Sequence, residues 1–158
     1  MKILIVYYSL EGNTKFIAEQ LKEKLNADLL ELKPVKAYPA RGAMKFVAGG
    51  FAATVSAAPK LQPYTCNLKD YDFIILGSPV WNSRITPPLN TFLKNENLRG
   101  KAVAMYACHG GGGAEKLFVS TEEKVGKLAA RAAFTEPLSN KEEACRQAEE
   151  FGAVISAL

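Results

Sequence analysis

The apolar positions of this chain fall into short, unbroken runs separated by stripes at helical spacing. Ile3 to Tyr8 is such a run, with six apolar or aromatic residues in a row. It is too short to cross a membrane and suits a strand buried on both faces. The pattern then changes: Ile17, Leu21 and Leu25 recur at four-residue spacing beside Ala18, while Lys15, Glu19, Lys22, Glu23 and Lys24 fill the opposite face. This predicts a helix capped by Asn13 or Thr14 and ended by Asn26. Asp28 to Lys33 reads as a second strand stopped by Pro34, which completes a βαβ unit. Pro34 to Asn67 is less regular. The spacing of Met44, Val47, Phe51 and Val55 predicts a helix over about Gly42 to Ser56, weakened by the Gly49-Gly50 pair.

The alternation resumes with Phe73 to Leu76, a strand, and with a helix from Pro87 to Asn97, where Thr86 is the N-cap and Pro87 suits the first helical position. Lys101 to Ala107 is the next strand. A helix bearing Leu117, Phe118, Val125 and Leu128 follows, with a break expected near Ser120 or Gly126. Ala130 to Thr135 is the last strand. Ser139-Asn140 ahead of Glu142 and Glu143 is a capping-box pattern, opening a helix whose stripe is Ala144, Ala148, Phe151, Ile155 and Leu158. Strands apolar on both faces that alternate with helices call for a five-stranded parallel sheet between two helix layers.

In such sheets ligands sit at the carboxyl ends of the strands, where the strand order reverses. Three turns there are richer than turning requires. The first is Ser9-Leu10-Glu11-Gly12-Asn13-Thr14, hydroxyls and amides at a helix N-terminus, whose first N–H groups lack intrahelical partners and can receive an anion such as a phosphate. The second contains Ser78, Pro79, Val80, Trp81 and Asn82. Trp81 is the only tryptophan, and its place in a polar loop favours a partly exposed flat platform over a core role. Asn82 tolerates left-handed backbone geometry better than most residues. The third is Cys108-His109-Gly110-Gly111-Gly112-Gly113. With strand order 2-1-3-4-5 the three turns adjoin one switch point, and one ligand can touch all of them.

Composition narrows the function classes. A chain of 158 residues with 48% apolar content fits one domain over 1–158. The formal charge of +4 is modest and the lysines alternate with glutamates along the helices, so nucleic acid is not an expected partner. No run is long enough for a membrane, and an N-terminus that is already a strand leads us to expect a cytoplasmic protein. Cys66, Cys108 and Cys145 lack C-x-x-C spacing, which points to reduced thiols and away from zinc.

The Tyr8-Ser9-x-x-Gly12-Asn13-Thr14 turn, the Gly77-Ser78-Pro79-Val80-Trp81 turn and the glycine-rich loop after the fourth strand resemble the flavodoxin family, along the whole chain and most closely its short-chain members. The resemblance implies a flavodoxin-like three-layer α/β sandwich and a non-covalent FMN. Its phosphate would lie on Ser9, Leu10, Glu11, Gly12, Asn13 and Thr14, without arginine, and its ring against Ser78, Pro79, Val80, Trp81 and Asn82. Cys108, His109, Gly110 and Gly111 would approach the ring from the third loop, although by residue type Cys108 reads as a small buried hydrophobe and His109 as an ordinary loop residue. Arg84 is open between the flavin rim and a structural ion pair. Glu11 departs from the family's usual hydroxyl residue, and a carboxylate turned inward would repel the phosphate, so Glu11 is expected to face solvent.

The implied function is an electron carrier, supported by the small size and the closely flavodoxin-like loops, passing electrons between redox partner proteins as a monomer. The alternative is an FMN-containing quinone or flavin reductase driven by NAD(P)H. Flavodoxins are commonly acidic, and the net positive charge of this chain departs from that pattern.

Overall fold

The computed structural model describes residues 1–39 and 57–158. The helix expected over 42–56 lies outside the described residues. Five parallel strands form one sheet: β1 (Ile3–Tyr7), β2 (Asp28–Glu31), β3 (Phe73–Pro79), β4 (Ala102–His109) and β5 (Ala130–Thr135), in the order β2-β1-β3-β4-β5. The four described helices are α1 (Asn13–Leu25), α2 (Pro87–Asn95), α3 (Ala114–Val125) and α4 (Lys141–Ser156). A short 3-10 turn, Leu68–Asp70, precedes β3.

The period-2 geometry of β1 explains the layers. Ile3, Ile5 and Tyr7 face one side, with Ile17 and Leu21 of α1 and Ala144, Ala148, Phe151 and Ile155 of α4. Leu4 and Val6 face the other, with Leu89 and Phe92 of α2 and Leu117 and Phe118 of α3. Both faces are therefore covered, as unbroken apolar strands require.

Several boundaries differ from expectation for local reasons. The N-cap of α1 is Gly12, at φ +97°, and not Asn13 or Thr14. Ser9 does the capping from outside the helix: its Oγ accepts from the N–H of Gly12 and of Lys15, each at 3.2 Å. Strands β3 and β4 outrun their apolar stretches because the ladder continues through Ser78 opposite Ala107 and Pro79 opposite Cys108. Helix α3 is unbroken at Ser120, whose hydroxyl donates to the Leu117 carbonyl at 3.0 Å, and ends at Gly126. Asn140 caps α4 through the Glu143 N–H, but Leu158 falls beyond the helix and is 64% exposed, outside the stripe expected for it.

Gly77 requires the absence of a side chain. A Cβ there would stand 2.2 Å from the Tyr106 Oη, while that hydroxyl donates to the Thr14 carbonyl at 2.9 Å. A buried tyrosine of β4 thus passes over β3 and holds the first turn of α1 in place.

Candidate functional site

At the carboxyl ends of β1, β3, β4 and β5 lies a cavity of about 320 Å³, within the range of roughly 300–1,000 Å³ usual for small-molecule sites. Its lining comes from the three turns singled out by sequence: Ser9, Leu10, Glu11, Asn13 and Thr14; Pro79, Val80, Trp81 and Asn82; and Cys108, His109 and Gly110. Three expected site residues do not line it. Gly12 shapes the first turn from behind, with Leu138 Cδ1 packed 3.3 Å from where its Cβ would be. Ser78 is fully buried, its Oγ 3.1 Å from the Thr86 Oγ1 and donating to the Pro79 carbonyl at 2.8 Å. Gly111 is exposed and lies outside the lining.

The first turn is organised by one hydroxyl. Serine has two acceptor lone pairs and one donor. The N–H groups of Gly12 and Lys15 occupy the acceptors, which leaves the Ser9 O–H to donate outward. Beside it is the N-terminal turn of α1, whose unpaired N–H groups and dipole favour an anion. Thr14 is buried in the same turn and bonds the Cys108 thiol. Burial pushes that thiol up to about 12, against a smaller lowering by Thr14, so Cys108 is an uncharged, inert group at neutral pH. Its residue type alone had suggested as much.

Trp81 is half-buried and in T-shaped contact with two tyrosines. Its ring centroid is 5.6 Å from that of Tyr8, at 90°, and 5.2 Å from that of Tyr38, at 78°. T-shaped contacts of this kind fix the position of an indole. Burial raises the hydroxyl pKa of both tyrosines, with Tyr38 adding a smaller upward effect on Tyr8. The turn beyond Trp81 has Asn82 and Ser83 at φ 49° and 58°, closed by the Arg84 N–H donating to the Trp81 carbonyl at 3.0 Å. Two successive positive φ values mark a type I′ turn, which explains an asparagine at its first central position. Arg84 is exposed, outside the cavity lining, and has no carboxylate partner among the described residues.

The third loop packs on this turn. Gly113, at φ +87°, has the Ser83 Oγ 2.8 Å and the Val80 Cγ1 3.1 Å from the position of a Cβ, so a larger residue would push the two loops apart. His109 accepts the Gly112 N–H on Nδ1 at 3.0 Å, which places the proton of the neutral ring on Nε2.

One lining residue had no sequence signal. Glu136 follows β5 at φ 41°, its N–H donating to the His109 carbonyl at 2.9 Å and its own carbonyl accepting from Ser139 N–H at 2.8 Å. Its Oε1 lies 3.5 Å from where a Gly110 Cβ would be. Glu11 is exposed, yet it too borders the cavity. Among the described lining residues there are two carboxylates and no lysine or arginine. No metal-binding group of His, Cys, Asp or Glu occurs among the described residues, and no described helix is long and apolar enough to cross a membrane.

A doubly wound sheet with an anion-receiving turn, an indole wall and a glycine loop at one switch point defines a nucleotide-binding α/β protein. The comparisons make the class specific. The family model described as Flavodoxin matches residues 2–133, and the chain belongs to the flavodoxin family. Among solved structures, a flavoprotein from Lactobacillus acidophilus, determined in complex with FMN, is similar with a TM-score of 0.74 and 24% identity, covering 87% of this chain and 96% of that one. Oxidised Flavodoxin 2 from Bacillus cereus has a TM-score of 0.63 and 24% identity, covering 99% of both chains. Two-electron reduced flavodoxin from Megasphaera elsdenii has a TM-score of 0.57 and 19% identity, over 96% of this chain and 98% of that one.

Proposed function

We propose that this flavodoxin holds FMN in the cavity and passes electrons singly between redox partner proteins. The observation that carries the reading is the meeting, at one end of the sheet, of an anion-receiving turn and a half-buried indole. The Ser9 O–H and the N-terminal N–H groups of α1 would hold the phosphate, and Trp81 would cover one face of the ring. Gly110, which has no side chain, and the tight turn at Asn82 would let main-chain groups reach the ring's polar edge. When bound, FMN supplies reversible one-electron and two-electron chemistry. The donor set suits FMN at the phosphate turn and at the indole. Glu136 opposes its negative charge, which makes affinity sensitive to salt.

The alternative, an NAD(P)H-driven quinone or flavin reductase, shares the cofactor and differs in its electron source. Mixing the FMN-loaded protein anaerobically with NADPH separates them. A carrier stays yellow until a reductase is added, and its reductive titration shows two resolved one-electron steps. Rapid bleaching by NADPH alone would instead identify the reductase.

A further inference from the structure

The charge of the chain is unevenly placed. Between Glu31 and Asp70 there is no carboxylate, and there are six cations, Lys33, Lys36, Arg41, Lys45, Lys60 and Lys69, leaving 14 cations against 16 carboxylates elsewhere. The positive excess therefore belongs to the long connection between β2 and β3, and the remainder is slightly acidic.

Three of these lysines stand on a short antiparallel ribbon. The Val35 N–H donates to the Lys60 carbonyl at 2.8 Å, the Gln62 N–H donates to the Lys33 carbonyl at 2.7 Å, and Pro34 pairs with Leu61. Pro34 and Leu61 are buried, so the pleat turns their neighbours Lys33, Val35, Lys60 and Gln62 outward. All four are exposed, Val35 to 59%, and so is Lys36. Lys33 has Glu31 at 3.6 Å. Lys36 and Lys60 have no carboxylate partner among the described residues. The ribbon leaves the carboxyl end of β2, the end of the sheet that carries the cavity, and just beyond Lys36 the ring of Tyr38 meets Trp81 at 5.2 Å.

We propose that this ribbon is the docking surface for an acidic redox protein. The proposal deepens the electron-carrier reading and rests on it. An exposed valine between lysines gives an apolar centre with a charged rim, the usual anatomy of a transient protein interface. Its position beside the Trp81 wall would bring a partner's redox centre close to the site of electron exchange. A nucleic acid would instead call for a longer row of phosphate contacts, and a membrane surface would have no reason to lie beside the indole. Charges of this kind act mainly by steering encounter, so their effect appears in association rates and fades with salt.

The test uses one acceptor in two charge forms, native cytochrome c, which is basic, and succinylated cytochrome c, which is acidic. The FMN-loaded protein is photoreduced and mixed with each in a stopped-flow instrument. The succinylated form should be reduced about tenfold faster at low ionic strength, and high salt should remove the difference. Reversing the ribbon with Lys33→Glu, Lys36→Glu and Lys60→Glu together should abolish the preference while leaving FMN affinity unchanged. The matching control is Lys94→Glu, Arg99→Glu and Lys124→Glu, which changes net charge equally in a shallow recess where α2 and α3 end, at the other end of the sheet. That variant should keep the preference. Faster reduction of native cytochrome c, or equal loss in both triple variants, would overturn the proposal. So would binding to phosphatidylserine vesicles that only the ribbon variant loses, since it would make the ribbon a membrane contact. Failure of the unmodified protein to bind FMN, read separately by fluorescence, would overturn the carrier reading itself.

Discussion

Two loops bring a carboxylate to the cavity, and they are built in opposite ways. The turn after β1 carries Glu11 on a frame of side-chain chemistry, in which the Ser9 hydroxyl gathers two N–H groups and Gly12 takes a left-handed conformation. The loop after β5 carries Glu136 on main-chain bonds to His109 and Ser139, with a non-glycine residue at φ 41°. The first construction leaves a motif in the sequence. The second leaves none, because main-chain bonds can be made by any residue and the bend is imposed by neighbouring strands.

The difference can be broken most strongly from beneath. Gly77→Ala places a methyl group against the Tyr106 ring, which anchors the first turn through the Thr14 carbonyl. We expect a loss of about 3 kcal/mol or more in urea denaturation, because both partners are buried in a packed sheet. Tyr106→Phe, which loses only the hydrogen bond, should cost about 1–3 kcal/mol.

High pH attacks the same corner. The Cys108 thiol is raised from 9.0 to about 12 in the folded protein, so the fold binds this proton more tightly than the unfolded chain does. Its contribution is fully present below pH 9 and is lost progressively as pH rises toward 12. Melting temperature should fall over that window. Cys108→Ala should flatten part of the decline, and the native thiol should resist alkylation at neutral pH.

Smaller effects sharpen the comparison between the loops themselves. Ser9→Ala removes the acceptor shared by Gly12 and Lys15 and should cost about 1 kcal/mol of stability. It should also weaken FMN binding, by a larger factor than Ser9→Thr. Glu136→Gln should do the reverse for the ligand, tightening FMN severalfold at low salt by removing a negative charge that no cation among the described lining residues offsets. Salt titration should erase that gain. The two variants together would show whether the motif-bearing loop supplies attraction and the unmarked loop supplies repulsion.

Much of the architecture was legible because burial on both faces forces continuous apolar runs, as in Ile3 to Tyr8 and Phe73 to Leu76. The strand order came with the flavodoxin resemblance, and the observed order sets the three rich turns around one switch point. Within the site, Trp81 and Asn82 were legible as a lone indole in a polar loop and a residue tolerant of positive φ. Ser78 was misplaced because a serine beside the motif reads as a ligand group, whereas the continued β3–β4 ladder buries it against Thr86. Tyr38, which braces Trp81, could not be foreseen, since that contact joins segments distant in sequence. The cap of α1 was misassigned because Ser9 reaches it from outside the helix.

Trp81 offers the most direct measurement, as the only tryptophan of the chain and a wall of the cavity. Its fluorescence should be quenched strongly as FMN is added, saturating at one FMN per chain with a Kd below about 1 µM, and Trp81→Ala should weaken binding about tenfold or more. Emission unchanged by excess FMN, together with a protein that stays colourless after dialysis, would contradict the assignment of this cavity to the flavin.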